Sequence, residues 1–194
     1  MAETCKSKPD VILQAALELF AENGFHCAPI SQLADSAKVG VGSIYRYFKD
    51  KDELIHAVSE KVEQALQTAL TENLDTTVSD RQHFIQLITR LIDYLNRHPQ
   101  EFRFLEQYYS SPYGVDKKHA KFLREEEAEQ SSPFLIFFAG AKQGTIKKMP
   151  LPLYLAMTFG PVIFLLRDSI SGLVKLDQKL IEQTAESCWD AIKL

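Results

Sequence analysis

Glycine, proline and cysteine are scarce in this chain of 194 residues, which contains 8 Gly, 8 Pro and 3 Cys. So few turn-forming residues argue against extended disorder and against an all-β architecture with many tight turns. The cysteines Cys5, Cys27 and Cys188 are odd in number and far apart in the sequence. This spacing argues against a disulfide framework and indicates a reducing compartment.

A targeting segment is also missing from the N-terminus. Met1 to Pro9 contain no apolar segment, so the sequence predicts no signal peptide and a cytoplasmic location. The longest stretch without charge runs from Met149 to Leu166, but a membrane-spanning helix needs roughly 20 such residues. Pro150, Pro152 and Pro161 interrupt this stretch. We therefore interpret it as a buried helix at a subunit interface rather than as a membrane span.

An excess of positive charge is absent, since the formal net charge is −4. A nucleic-acid hypothesis must therefore rest on where the charges lie. Between Lys38 and Lys51 there are four basic residues and one acidic residue. Lys6 and Lys8 form a second small basic group, which is either a solvated arm or a contact to the minor groove or backbone of DNA.

Motifs for catalysis and metal binding are missing as well. The five histidines are scattered, with no HExxH motif and no Cys or carboxylate at metal-binding spacing. Neither a nucleophile elbow nor a phosphate loop is present. The sequence therefore predicts no enzyme, no metal site and no cofactor. A redox sensor using Cys27 or Cys188 is an alternative, although both cysteines lie beside helical apolar stripes, where buried thiols are usually inert.

Helical periodicity dominates what is present. The first helix is predicted to begin near Pro9 and to end at Asn23-Gly24, with one apolar face that includes Ile12, Leu19 and Phe20. Two short helices are predicted at 30–37 and 41–47. A longer one follows Asp50, with Glu53 as the partner in a capping box, and extends to about residue 74.

The polar stretch 75–79 is the predicted joint between two helical domains. Further helices are predicted at 84–97, 99–109, 116–129, 132–146, 152–174 and 177–193, and Gly160-Pro161 is expected to kink the helix that contains it. The predicted fold class is all-α: an N-terminal three-helix bundle in residues 1–50, a linking helix at 51–74, and a larger helical domain in residues 75–194.

The segment from Ile30 to Leu54 carries the functional prediction. Two short helices joined by a tight turn and packed on a first amphipathic helix form a helix-turn-helix. In that motif the second helix enters the major groove of DNA, which is about 12 Å wide. Ile44 and Phe48 supply the inner face of the 41–47 helix. Its outer face consists of Val41, Ser43, Arg46 and Tyr47.

Two stretches of sequence resemble the TetR family of helix-turn-helix transcriptional regulators. They are AALELFAENGF, which ends at Phe25, and SQLADSAKVGVGSIYRYFKDKDEL, which begins at Ser31. The resemblance covers residues 10–54 and depends on several independently placed features. Two departures stand out: Lys38 occupies a turn position where the family usually has Gly, and Gly40 occupies the position of the usual Ser or Thr cap.

The resemblance implies an Ω-shaped homodimer that binds double-stranded operator DNA, most often as a repressor released by a small apolar or aromatic effector. It places base or groove contacts on Ser31, Val41, Gly42, Ser43 and Tyr45, and phosphate contacts on Tyr47 and Lys51, with Arg46 reaching either. Tyr45 has a second interpretation as a partly buried core residue. Lys51 lies at a helix N-terminus, where its charge opposes the helix dipole, so the sequence favours a phosphate contact over a structural role.

The rest of the chain is expected to supply a dimer surface and an effector site. The last two helical segments are more apolar than one core face requires, and pairing them across a two-fold axis gives a four-helix bundle. The expected interface residues are Leu155, Phe159, Ile163, Leu166, Ile181 and Trp189. An apolar pocket with a few polar anchors is expected at Phe102, Arg103, Glu106, Tyr109, Phe134, Phe137 and Phe138. Ordinary core packing is the alternative for these aromatic residues, and a purely protein-binding helical module is the alternative for the whole chain.

Overall fold

A computed structural model describes residues 7–75, 77–115, 132–140 and 144–194. The described residues contain the nine α-helices named below, further helical residues at 112–115, and an isolated bridge between Ile146 and Lys193. The predicted all-α class is confirmed. The predicted helix at 116–129 lies outside the described residues, as do positions 141–143. The helices are α1 (Lys8–Asn23), α2 (Ile30–Ser36), α3 (Val41–Tyr47), α4 (Lys51–Thr71), α5 (Asp80–Arg97), α6 (Pro99–Ser110), α7 (Pro133–Gly140), α8 (Leu151–Ile170) and α9 (Gln178–Ile192).

Side-chain caps and glycine fix several helix ends. The Asp10 amide donates to the Ser7 hydroxyl at 3.3 Å at the start of α1, and Gly24 ends that helix with a φ of 75°. Asp50 accepts from the Glu53 amide at 2.8 Å before α4. The Glu53 carboxylate, however, accepts from the Lys49 amide, so the predicted capping box closes one residue earlier than expected.

The described residues form two compact units. The first contains residues 7–65 and 100–115, and the second contains 66–75, 77–99, 132–140 and 144–194. Grouping α6 with the N-terminal helices differs from the sequence-based division at residues 50 and 75. Periodicity could not indicate this grouping, because it depends on contacts between segments that are distant in the sequence.

An aromatic cluster forms much of the core of the first unit. Phe20 and Phe25 from the N-terminal segment lie edge to face, with ring centroids 5.6 Å apart. Phe104 of α6 lies 5.6 Å from Phe25 and 5.9 Å from Tyr108. Because Phe20, Phe104 and Tyr108 are fully buried, α6 is integral to the domain that carries α2 and α3.

The second unit is built around α5, whose buried face includes Phe84, Leu87, Ile88 and Leu91. Helices α8 and α9 pack on it, and Phe84 lies 5.7 Å from Trp189. Helix α8 is long and apolar enough to cross a membrane, yet only 17% of its apolar window is buried. Most of α8 is therefore not buried in the single protomer, and its burial at a subunit interface stays a prediction.

Candidate nucleic-acid interface

The turn between α2 and α3 is closed by backbone hydrogen bonds. The Val39 amide donates to Ala34 O at 2.9 Å, and the Lys38 amide donates to Asp35 O at 3.1 Å. This pair of bonds is a Schellman motif, in which the residue after the cap adopts the left-handed conformation. That residue is Lys38, with a φ of 54°. The turn therefore has helix-turn-helix geometry, although a lysine occupies the glycine position.

The two faces of α3 differ sharply in burial. Ile44 is 1% exposed, and Phe48, which follows the helix, is 8% exposed, so both anchor α3 to the core. On the other side Val41, Tyr45 and Tyr47 are 39%, 50% and 37% exposed. Tyr45 is therefore not a fully buried core residue, and half of its surface is accessible. The remaining expected contacts are also accessible: Ser31, Gly42 and Arg46 are exposed, and Ser43 is half-buried.

Arg46 and Tyr47 form a pair on this outer face. The Arg46 guanidinium donates to the Tyr47 hydroxyl at 3.0 Å and lies 5.1 Å from the centroid of its ring. A cation over an aromatic face is favourable, and a positive charge suits the C-terminal turn of a helix. The pair therefore holds a cation and a hydroxyl side by side at the end of α3.

Lys51 begins α4, as predicted, but its side chain makes contacts within the protein that the sequence did not predict. Its ammonium donates to the backbone carbonyl of Ala28 at 2.6 Å and lies 5.9 Å from the centroid of the Phe20 ring. Ala28 and Lys51 are 23 positions apart, and no local sequence signal connects them. The structural role that the sequence disfavoured thus has defined partners.

Three tyrosines contact side chains of α4, and sequence reasoning missed all three contacts. The Tyr113 hydroxyl donates to Asp52 at 2.7 Å, and that of Tyr109 donates to Glu63 at 2.7 Å. The Tyr108 hydroxyl lies 3.1 Å from Nδ1 of His56. Donation to Asp52 raises the pKa of Tyr113 to about 12, and burial raises the pKa of Tyr109.

The expected dimer residues divide into two groups. Leu166, Ile181 and Trp189 are buried within the chain, so they are core residues of the second unit, and their expected place on the surface is corrected. Leu155 and Phe159 are half-buried, and Ile163 is 38% exposed. A periodic apolar pattern cannot separate a core face from an interface face. The large apolar side chains exposed on α8 are Leu153, Met157, Ile163 and Phe164.

The expected effector residues also fall into two groups. Phe102, Arg103, Glu106 and Tyr109 belong to the first unit, whereas Phe134, Phe137 and Phe138 belong to the second. In the second unit Phe134 lies 4.7 Å from Phe159, Phe137 lies 5.5 Å from Phe84, and Phe138 stacks on Tyr154 at 4.7 Å. Phe102, Phe134 and Phe137 are buried, and Arg103 is exposed.

Among the described residues no group of His, Cys, Asp and Glu is arranged to hold a metal ion. Cys27 is exposed, so the expectation of a buried thiol does not hold for it. Cys188 is buried, its thiol donates to Thr158 O at 3.4 Å, and burial raises its pKa to about 11. A raised pKa keeps a thiol protonated and poorly reactive.

Comparisons with known proteins agree with this geometry. Residues 12–58 match the family described as "Bacterial regulatory proteins, tetR family", and residues 81–193 match the "Tetracyclin repressor-like, C-terminal domain". An uncharacterized HTH-type transcriptional regulator of Haemophilus influenzae is 26% identical over 183 residues, which is 94% of each chain. The transcriptional activator FasR of Mycolicibacterium smegmatis is 30% identical over 94 residues, covering 48% of this chain and 43% of its own.

A solved structure shares the fold along almost the whole chain. The crystal structure of a TetR family transcription regulator from Marinobacter aquaeolei has a TM-score of 0.83 and 22% sequence identity. The alignment covers 96% of this chain and 95% of that one.

Proposed function

Because this chain belongs to the TetR family of helix-turn-helix transcriptional regulators, we propose that it is a sequence-specific repressor that a small apolar or aromatic effector releases from its operator. Regulators of this family bind operator DNA and act as dimers, and the relatives of this chain are regulators rather than enzymes. The repressor assignment, the effector and the cytoplasmic location are the specific parts of the proposal.

The observation that carries the DNA-binding part is the two-sided character of α3. Ile44 and Phe48 hold the helix to the core, while Val41, Tyr45 and Tyr47 stay exposed on its outer face. Exposed apolar and aromatic side chains have a cost in a free protein, and a major groove with its thymine methyl groups and phosphates is a surface that such a face fits. We therefore assign base or groove contacts to Ser31, Val41, Gly42, Ser43 and Tyr45.

Phosphate contacts are assigned to the Arg46–Tyr47 pair. The guanidinium and the phenol lie together at the C-terminal turn of α3, and both can donate hydrogen bonds to phosphate oxygens. Phosphate contacts fix the register of a protein on DNA but carry little sequence information. Ser43, in the first turn of α3, has the opposite expected role, because a short hydroxyl there can reach base edges.

A homodimer through α8 and α9 is the proposed assembly. Phe164, 63% exposed, borders a shallow groove of about 530 Å³ that Gly160, Pro161, Leu165 and Leu180 also line. Pairing this face with its two-fold copy would bury Phe164 and complete a four-helix bundle. Two copies of the helix-turn-helix would then address half-sites about 34 Å apart or a multiple of that distance.

The effector part rests on the clusters of aromatic residues. Phe134, Phe137 and Phe138 are our proposed effector residues in the second unit, and Phe102, Arg103, Glu106 and Tyr109 are those in the first. Complete switching between a bound and a released population requires about 5.5 kcal/mol of differential effector binding. Titrating apolar and aromatic compounds against the operator complex tests this part, which fails if no compound class changes the affinity. A promoter fusion with and without the regulator gene distinguishes repression from activation.

The DNA contacts are tested with two variants of α3. Tyr47→Ala is expected to weaken binding to every DNA sequence by a similar factor, because it removes a phosphate contact. Ser43→Ala is expected to change the ratio of operator to random-DNA affinity, because it removes a base contact. Both are measured by titrating fluorescent duplexes, the operator having first been selected from a random pool.

Gln67→Ala is the matched control, since Gln67 is exposed near the C-terminal end of α4, far along the sequence from the proposed contacts. Its affinities should equal those of the unmodified protein. If the unmodified protein and all three variants share one affinity for operator and one for random DNA, the assignment of DNA contacts to Tyr47 and Ser43 is wrong.

A further inference from the structure

The ammonium of Lys51, the first residue of α4, contacts groups of the protein itself, which is unusual for a cation on a proposed DNA-binding surface. Its ammonium donates a 2.6 Å hydrogen bond to the carbonyl oxygen of Ala28 and lies 5.9 Å from the centroid of the Phe20 ring. Ala28 and Phe20 are 1% and 0% exposed, and Lys51 itself is half-buried. The cation is therefore held against α1 and against the connection between α1 and α2.

The groups around the Lys51 ammonium offset the cost of placing a positive charge there. A positive charge at a helix N-terminus opposes the helix dipole, and an ammonium withdrawn from water loses hydration. The Ala28 carbonyl dipole and the negative face of the Phe20 ring both offset these costs. The three groups together form a site that accommodates one lysine ammonium.

The connection held by Lys51 leads directly into the first helix of the helix-turn-helix. Ala28 is followed by Pro29, which caps α2 without a side-chain hydrogen bond, and α2 begins at Ile30. Ser31, in the first turn of α2, is one of the proposed DNA contacts. A bond from α4 to Ala28 therefore fixes the start of α2 where no side chain of α2 does so.

We propose that Lys51 is a positioning residue of the DNA interface and not a phosphate contact. Its hydrogen bond joins the α1–α2 connection to the start of α4 and so sets the placement of α2 on DNA. This inference rests on the proposed DNA-binding function. An ammonium has three N–H donors, so the Ala28 bond leaves two, and a phosphate contact is the competing outcome.

The salt dependence of DNA binding separates the two roles. Each phosphate neutralised by a protein cation contributes about 0.9 to the slope of log affinity against log salt concentration. Loss of a phosphate contact from both subunits of a dimer therefore lowers the slope by about 1.8. Loss of a positioning contact weakens binding and leaves the slope unchanged to within about 0.5, because no phosphate partner is lost.

The experiment measures operator affinity at several salt concentrations for the unmodified protein, Lys51→Met and Lys61→Met. Lys61 is the matched control, since it lies on the same helix and pairs at 2.9 Å with Asp10, both side chains being about half exposed. Lys51→Met is expected to bind operator roughly tenfold or more weakly, the size of effect typical of a lost charged hydrogen bond, with an unchanged slope. Lys61→Met is expected to bind like the unmodified protein.

Lys51→Gln is a second neutral variant. If only one of Lys51→Met and Lys51→Gln folds, its slope of log affinity against log salt concentration distinguishes the positioning role from a phosphate contact. A double-mutant cycle with Ser31→Ala adds an independent readout. Positioning of α2 makes the effects of Lys51→Met and Ser31→Ala non-additive, because both act through the same contact, whereas a separate phosphate contact makes them additive.

The failures are distinguishable. If the unmodified protein binds DNA with no salt dependence and no sequence preference, the proposed function fails. If it binds operator normally and the neutral variants lose about 1.8 from the slope, or the double-mutant cycle is additive, Lys51 is a phosphate contact and the positioning role is overturned.

Discussion

Lys38 and Gly40, the two departures from the family pattern, differ in backbone conformation and therefore in their expected cost to stability. Lys38 sits at the left-handed position of the α2–α3 turn with a φ of 54°, where a side chain crowds the following carbonyl. Gly40 caps α3 with an ordinary extended conformation, φ −74° and ψ 147°, and lacks only a side-chain acceptor. A missing cap side chain costs a few tenths of a kcal/mol, so Lys38 is the larger local strain.

Replacing Lys38 with Gly is therefore expected to stabilise the protein. Relief of the left-handed conformation outweighs the extra entropy of glycine in the unfolded chain, for a net gain of about 0.5–1 kcal/mol. The measurement is denaturant unfolding at constant protein concentration.

Lys38→Ala is the control, because it removes the same charge and keeps the same strain. It should show no gain. Equal stabilities of Lys38→Gly and Lys38→Ala would mean that charge rather than backbone conformation governs this turn.

At the scale of the element, the C-terminal end of α4 depends on a side chain from α5. The Arg90 guanidinium donates to the carbonyl oxygens of Leu70, Glu72 and Asn73, at 3.2, 2.5 and 3.0 Å. Asn73 follows in a left-handed conformation, with a φ of 53°. The last carbonyls of a helix have no partner within the helix, and here an arginine supplies one from a neighbouring segment.

Arg90→Met keeps an apolar stem and removes the hydrogen bonds of the guanidinium. It is expected to lower the free energy of unfolding by about 1–2 kcal/mol. This is less than the full value of a buried hydrogen bond to a charged group, because the site is partly solvated. Amide hydrogen exchange should accelerate at Glu72 and Leu74, whose amides bond to the last turn of α4.

Arg81→Met serves for comparison, since it removes an exposed ion pair with Glu186, a contact worth 0 to about 1 kcal/mol. If the two variants lose the same stability and exchange at the end of α4 is unchanged, Arg90 is not a cap.

The elements show what the sequence could predict and where it stops. Most predicted helices, α3 at 41–47 among them, match the observed bounds to within a few residues, because 3.6-residue periodicity and helix ends such as Gly24 are local signals. Helix α5 begins earlier than the predicted start at 84, because Ser79 caps it at Asp80. The outer face of α3 was predicted for the same reason. The Lys51–Ala28 and Tyr113–Asp52 contacts join residues 23 and 61 positions apart, and nothing local encodes them.

At the scale of the whole molecule, the sequence could not distinguish core residues from interface residues on α8 and α9. Both surfaces are apolar, so the sequence assigned Leu166 and Trp189 to a dimer face, whereas they are buried in the protomer. The side chains left exposed on α8, above all Phe164, form the face that we propose pairs with a second copy. Duplication matters for function, since a single module binding through phosphates alone reaches only about 10⁻⁴ to 10⁻⁶ M.

Phe164→Asp is expected to dissociate the dimer while leaving the protomer folded, since Phe164 is 63% exposed. Burying an unpaired carboxylate in the proposed bundle should weaken dimerisation by roughly 100-fold or more. Sedimentation equilibrium measures this. Leu173→Asp, 77% exposed just beyond α8, is the control and should remain dimeric. A dimer unaffected by Phe164→Asp would place the interface elsewhere.

The central claim is that the outer face of α3, presented twice by a symmetric pair, reads operator DNA. Selecting bound duplexes from a random pool with the full-length protein tests it most directly. The account predicts enrichment of a two-fold symmetric sequence whose half-site centres lie about 10 base pairs or a multiple of that apart. A pool that remains random after repeated selection, or a single asymmetric site bound by one protomer, would contradict it.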